Sequence, residues 1–176
     1  FNQMVQGLRE RKDMQRFVSE STVEMIQTKT DRTREGERIR QTIFFSDIRG
    51  FTRMSEEQPP EETIRILNRC LSLQAELVKK CHGDVDKFVG DSVVAVFGGE
   101  DMALNAIRCA VEIQKALDLD NIEHADAPSL KVGIGIVTGE IIMGSIGSSD
   151  RRDFTVVGSN VNLCSRLCGA AGPHEI

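Results

Sequence analysis

The chain has 176 residues, of which 40% are hydrophobic and 28% charged, a composition typical of a folded domain with a sizeable core. Its formal net charge of −5 argues against general nucleic-acid binding, because no basic excess is available to neutralise phosphates. No run of about 18 apolar residues occurs, so the sequence predicts no membrane-spanning segment. The five cysteines lack metal-site spacing and are interpreted as buried free thiols in a reducing compartment.

The first 40 residues differ from the remainder. Apolar residues at three- and four-residue steps over 1–8 and again over 17–26 predict an amphipathic helix. This helix is interpreted either as pairing with a copy of itself or as packing on its own domain. Residues 29–40 have mixed charge and one glycine, which indicates a solvated linker or a hairpin excursion.

The rest of the chain alternates strand and helix patterns. The predicted elements are a strand at 42–45, a helix at 61–80, a hairpin at 83–97, a helix at 101–117, a strand at 130–138 that turns at 139–140 into 141–145, a strand at 154–157 and a helix at 159–167. This order predicts an α+β, ferredoxin-like sandwich with helices packed on one face of a largely antiparallel sheet.

Two carboxylates are predicted to lie at strand ends. Asp47 follows the first strand, just before a glycine-containing turn, and Asp91 lies at the turn of the 83–97 hairpin. If the two strands are neighbours, the carboxylates converge, and such a pair is a natural ligand set for magnesium ions that hold a triphosphate. On their own, Lys87 and Asp91 are better explained as hairpin charges that face water.

A polar amide and a guanidinium share one face of the last predicted helix. Asn162 and Arg166 are four residues apart, above Val161, Leu163 and Leu167, which are predicted to face the core. Aimed together, the two polar groups could stabilise negative charge on a phosphoryl group. The alternative is an ordinary solvated helix face.

Four spaced motifs resemble the catalytic domain of the class III nucleotidyl cyclases. They read FFSDIRGFT, DKFVGDSVVAVF, VGIGIVTGEIIMGSIG and DFTVVGSNVNLCSRL, and the resemblance covers residues 42–176. It implies conversion of a nucleoside triphosphate into a 3′,5′-cyclic monophosphate and pyrophosphate. It also implies that Asp47 and Asp91 hold two Mg²⁺ or Mn²⁺ ions, with the backbone of Ile48 as a further ligand.

The same resemblance implies the residues that bind the substrate. The backbone of the turn after the first strand is expected to approach the phosphates, at Ile48, Gly50, Phe51 and Thr52. Asn162 is expected to orient the ribose, and Arg166 to neutralise the α-phosphate. Arg151 is a further phosphate-binding candidate.

The base-selecting positions favour ATP. Lys87 lies four residues before Asp91, where adenylate cyclases of this family have lysine and guanylate cyclases have glutamate. Thr155 occupies the partner position, whereas Asp153 does not fit the spacing to Asn162. The lysine–threonine pair resembles the bicarbonate-responsive subgroup of adenylate cyclases. Lysine can donate to adenine and the threonine hydroxyl can accept from its amine.

The resemblance also predicts how the protein is organised. Residues 1–41 are expected to be the end of a HAMP-like signalling helix followed by a transducer segment. Residues 42–176 are expected to be a cyclase catalytic domain truncated before the family's triphosphate-binding lysine. This part is expected to be cytoplasmic, in a bacterial receptor anchored in the inner or plasma membrane and coupled to an upstream sensor.

A homodimer with shared active sites is implied. Asp47 and Asp91 of one chain are expected to face Lys87, Thr155 and the Asn162–Arg166 pair of the other. Two alternatives are a guanylate cyclase and a non-catalytic cyclase-like module that dimerises and relays signals.

Overall fold

The computed structural model describes residues 36–148, 150 and 152–176, so the predicted N-terminal helix and Arg151 lie outside the described residues. The elements are β1 (Glu37–Ile48), α1 (Phe51–Glu57), α2 (Pro60–Lys80), β2 (Gly83–Val89), β3 (Ser92–Phe97), α3 (Met102–Glu123), β4 (Val132–Gly147), β5 (Arg152–Val157) and α4 (Ser159–Ala170). The strands form one antiparallel sheet in the order β2-β3-β1-β4-β5. The predicted α+β class with a largely antiparallel sheet is confirmed.

The central strands are apolar at consecutive positions and are covered on both faces. Phe44 of β1 faces α2 and α3 and packs in one core cluster with Ile113. Its neighbour Ile43 points the other way and packs with Val96 of β3 and Cys164 of α4. The expectation that the helices lie on one face is therefore wrong for α4, because successive strand side chains alternate and both apolar faces require cover.

Helix α4 lies with its backbone close against β4. A Cβ atom at Gly135 would stand 2.5 Å from the carbonyl oxygen of Cys164 and from the amide nitrogen of Cys168. Only small side chains fit between such close backbones, and these two cysteines are the buried residues of α4. Leu163 and Leu167, predicted to face the core, are instead 38% and 45% exposed.

The predicted turn at residues 139–140 does not form. Gly139 and Glu140 continue β4 and pair with Gln41 and Arg40 of β1. Strand β1 supplies these partners because it begins at Glu37, earlier than the predicted residue 42. A side chain at Gly139 would clash with Asn160, which donates to the Glu140 carbonyl at 2.9 Å. The glycine is thus required by packing and not by a turn.

The helix and hairpin predictions hold with two changes. Helix α2 and the β2–β3 hairpin lie where they were predicted, and Gly90 of the hairpin turn has a positive φ of 60°. Helix α3 extends to Glu123, beyond the predicted end at residue 117, and its small residues Ala106 and Cys109 are buried. The short helix α1 was not predicted.

All five cysteines are free, as predicted, and four of them are buried. Within the part of the chain that the structure describes, no helix has the length and hydropathy needed to cross a membrane.

Candidate active site

Two carboxylates meet where β1 ends and the β2–β3 hairpin turns. Asp47 pairs with Ser92, the first residue of β3, so Asp91 lies beside it in the turn. The Ser92 hydroxyl donates to Asp47 Oδ2 at 2.6 Å. Burial, and then the charge of Asp47, raise the pKa of Asp91, while the backbone N–H groups of Asp91 and Ile48 and the charge of Arg49 lower it. The two carboxylates thus converge in the structure, as the sequence predicted.

This pair has the chemistry of a divalent-cation site. A cation would offset the repulsion between the two carboxylates. No group of three or more His, Cys, Asp or Glu side chains that could hold a metal occurs in 36–148, 150 and 152–176. Asp47 and Asp91 would therefore share an ion with other oxygen ligands, as Mg²⁺ does when it binds one or two carboxylates together with substrate phosphates. The residues fit the implied ions.

Arg49 is a site residue that the sequence reading missed. Its guanidinium forms an ion pair with the Asp47 carboxylate and donates to the Asp47 carbonyl at 3.2 Å. The same side chain donates to the Ala171 carbonyl at 3.4 Å, just beyond α4. Arg49 therefore ties the carboxylate edge to the end of α4. An arginine two residues after a functional aspartate was the available signal.

The predicted phosphate-binding turn lies at the same edge. Gly50 has a left-handed φ of 74° and precedes α1 directly. Gly50 and Thr52 are exposed, whereas Ile48 is buried and Phe51 packs against the main core. The side chains of Ile48 and Phe51 are used in core contacts, so only their backbone groups are suited to binding a ligand.

Lys87 and Thr155 are brought to a single carboxylate, Asp86. Strands β2 and β5 are at opposite ends of the strand order, but Val156 of β5 belongs to the same core cluster as Val96 of β3 and Cys164 of α4. The Thr155 hydroxyl donates to Asp86 Oδ2 at 2.8 Å. Lys87 Nζ lies 3.6 Å from the same oxygen. Asp86, which the sequence reading did not single out, therefore links the two predicted base-binding residues.

Asn162 and Arg166 lie on the outer face of α4. Both are exposed, opposite the buried Cys164 and Cys168. Their side chains form no hydrogen bond or ion pair with the described residues, and therefore none with the Asp47–Asp91 pair or with Lys87. Two polar groups on one open face remain available to a ligand or to a second chain. Arg151 lies outside the described residues, so its role stays a prediction.

Comparison with known proteins identifies the family. The adenylate and guanylate cyclase catalytic domain matches residues 34–176. An adenylate cyclase of Anabaena cylindrica is 41% identical over 138 residues, which cover 74% of this chain and 27% of that protein. The chain thus spans about a quarter of that relative's length.

Two solved structures have the same fold. A bacterial light-regulated adenylyl cyclase superimposes with a TM-score of 0.88 at 29% identity, over 96% of this chain and 51% of the other. The guanylyl cyclase Cya2 gives a TM-score of 0.74 at 39% identity, over 78% and 73% of the two chains. The resemblance inferred from the four motifs is confirmed at the level of the catalytic domain. By its motifs, its fold and these matches, the chain belongs to the adenylate and guanylate cyclase catalytic-domain family.

Proposed function

We propose that this chain is the catalytic part of an adenylate cyclase, which converts ATP into 3′,5′-cyclic AMP and pyrophosphate. The family supports nucleotide cyclisation, and the choice of ATP rests above all on the contact of Lys87 and Thr155 with one carboxylate. The test is the turnover of ATP and GTP measured side by side on the same preparation. Cyclic AMP as the main product supports the proposal, and cyclic GMP alone contradicts it.

The chemistry of the two bases explains why this pair favours adenine. Adenine offers a ring-nitrogen acceptor next to an exocyclic amine donor, whereas guanine offers a carbonyl acceptor in place of that amine. The ammonium of Lys87 can only donate and so complements the acceptor of adenine. The Thr155 hydroxyl can accept from the amine. A carboxylate at the position of Lys87 would favour guanine instead.

The carboxylate pair is assigned to two divalent cations, Mg²⁺ or Mn²⁺. Asp47 and Asp91 would hold them, together with the backbone of Ile48. When bound, such ions activate a hydroxyl nucleophile and neutralise phosphate charge. Gly50, Phe51 and Thr52 would offer backbone groups to the triphosphate, because they lie in the turn beside the carboxylates.

The remaining polar groups act on the ribose and the phosphates. Asn162 would orient the ribose, so that its 3′-hydroxyl faces the α-phosphorus. Arg166 would stabilise the negative charge that builds up on the α-phosphate, which a permanently charged guanidinium does well. Arg151 would add a second phosphate contact.

A homodimer with shared sites accounts for the separation of these groups. Asp47 and Asp91 form one cluster, and Lys87 and Thr155 form another. Among the described residues, the side chains of Asn162 and Arg166 form no hydrogen bond or ion pair with either cluster. Large apolar side chains are exposed on the strands that hold the second group, on the helix that holds the third group, and on β4 beside β5, at Phe88, Val89, Ile142, Ile146, Val157, Leu163 and Leu167. Exposed apolar surface of this kind is typical of an interaction face. Two copies would place the carboxylates of one chain opposite the base-binding residues of the other.

Guanylate cyclase is the second candidate, because the solved relative with 39% identity is named a guanylyl cyclase. Lys87 disfavours it. A non-catalytic relay module is disfavoured because Asp47, Asp91, Asn162 and Arg166 are all present.

Regulation is a separate part of the proposal. Residues 1–41 are assigned to a HAMP-like helix and transducer segment ahead of the catalytic domain at 42–176, in a bacterial receptor with a membrane-bound sensor. Fractionation of the parent protein tests the membrane assignment, and recovery outside the membrane fraction contradicts it. The lysine–threonine pair predicts activation by bicarbonate, so the initial rate should rise when bicarbonate is added at constant pH. A flat response removes this prediction.

A further inference from the structure

Asp86 is a buried carboxylate at an irregular point of β2. Its side chain is only 4% exposed. The pairing of β2 with β3 passes from Val85 directly to Lys87 and leaves Asp86 as an extra residue. A bulge of this kind redirects the side chains around it. Here it brings Asp86 to Thr155 of β5.

Both partners of Asp86 favour its ionised form. Burial raises the pKa of Asp86, whereas the hydrogen bond from Thr155 and the charge of Lys87 oppose that rise. A buried carboxylate is costly unless it is hydrogen-bonded and paired with a charge, and Asp86 has one partner of each kind. An ionised carboxylate has no hydrogen and can only accept.

The hydrogen bond to Asp86 determines what Thr155 can offer a ligand. A hydroxyl has one hydrogen and two lone pairs. Because Thr155 gives its hydrogen to Asp86 Oδ2, only lone pairs remain. A residue that could otherwise either donate or accept is thereby restricted to accepting.

We propose that Asp86 is a positioning residue for base selection, which holds the Thr155 hydroxyl as an acceptor and so favours adenine over guanine. The inference rests on the proposed function, since it concerns how the same site selects ATP. The amine of adenine can donate to the free lone pair of Thr155. The carbonyl oxygen of guanine would face that lone pair with no hydrogen between the two acceptors, an arrangement that sites built for hydrogen bonding reject.

The substitution Asp86→Asn tests the inference. Asparagine keeps the size of the side chain, but its amide can donate to Thr155 and release the hydroxyl hydrogen toward a guanine carbonyl. The ratio of kcat/KM for ATP to kcat/KM for GTP is expected to fall about tenfold, the effect of one hydrogen bond. In a Thr155→Val background, the same substitution is expected to change the ratio no further. Thr155→Ser is expected to keep the wild-type ratio.

Asp153→Asn is the matched control. It makes the same carboxylate-to-amide change two residues from Thr155, at an exposed residue of β5 whose side chain forms no hydrogen bond or ion pair with the described part of the chain. The ATP-to-GTP ratio of this variant is expected to equal that of the wild type. Asp86→Ala provides a second variant without the carboxylate, and thermal unfolding shows which variants are folded.

Three results would overturn the inference. Equal losses with ATP and GTP in both Asp86 variants would make the residue structural only, and so would failure of both variants to fold. An undiminished effect of Asp86→Asn in the Thr155→Val background would show that it acts through Lys87. By contrast, wild-type protein that makes only cyclic GMP would contradict the proposed function before any variant is compared.

Discussion

Replacing Asp47 with alanine is expected to lower cyclase turnover by about a thousandfold or more. The side chain is one of only two carboxylates at the proposed cation site, and Asp91 alone cannot replace its charge. Burial and the charge of Asp47 raise the pKa of Asp91. Removing Asp47 therefore also removes the repulsion between the two carboxylates that a bound cation would offset. The measurement is the initial rate with Mg²⁺ and with Mn²⁺, accompanied by a titration of Mn²⁺ binding to the free protein.

Asp126→Ala is a suitable control for this variant. Asp126 is an exposed carboxylate in the loop after α3, and it makes no hydrogen bond or ion pair with the described residues. The control is expected to keep wild-type turnover and Mn²⁺ affinity. A folded Asp47→Ala protein that retains a substantial part of the wild-type rate would contradict the metal assignment. Signalling by the parent protein that survives this substitution would favour the relay module.

Mixing two inactive variants is expected to restore activity. Asp91→Ala removes one carboxylate and Arg166→Ala removes the guanidinium. Both sites of each variant homodimer therefore carry a defect, and neither homodimer should be active. A mixed dimer has one site with both defects and one site with neither. Random exchange of equal amounts should therefore recover about a quarter of the wild-type rate, because half of the dimers are mixed and each contains one intact site of two.

The two variants carry different affinity tags, so that isolation through both tags confirms the mixed dimer. Co-expressed Asp47→Ala and Asp91→Ala are the matched control, because both defects lie in the same carboxylate cluster. In that mixture every site has a defective pair, and no activity is expected. An isolated mixed dimer of Asp91→Ala and Arg166→Ala that stays inactive would contradict shared sites.

Local patterns predicted the elements that carry the carboxylates. Helix α2 and the β2–β3 hairpin follow from apolar spacing and turn residues, and both lie where the sequence indicates. Antiparallel pairing of neighbouring strands then brings Asp47 opposite Ser92 and beside Asp91. This part of the site depends on two short elements and one strand pairing, which sequence patterns can specify.

Features that depend on long-range packing were not predictable in this way. Gly139 and Glu140 have turn-like composition, yet β1 is long enough to keep them in a continuous strand. The close approach of α4 to Gly135 favours cysteine over leucine at the buried positions, which reverses the expected inner face of that helix.

Three contacts of the site also depend on this packing. Arg49 and Ser92 bond to Asp47 because of the exact register of β1 with its neighbours. Asp86, at the bulge in β2, contacts Thr155 from the opposite end of the strand order. None of these partners has a sequence motif of its own, so they emerge only from the three-dimensional arrangement.

The most direct test of the central claim is a side-by-side assay of ATP and GTP turnover on the purified protein. Both nucleotides are supplied at several concentrations with Mg²⁺ or Mn²⁺, and the cyclic products are quantified separately. Contacts of Lys87 and Thr155 with adenine predict cyclic AMP as the main product, with kcat/KM for ATP about tenfold or more above that for GTP. Cyclic GMP from GTP, with no cyclic AMP from ATP, would contradict the account.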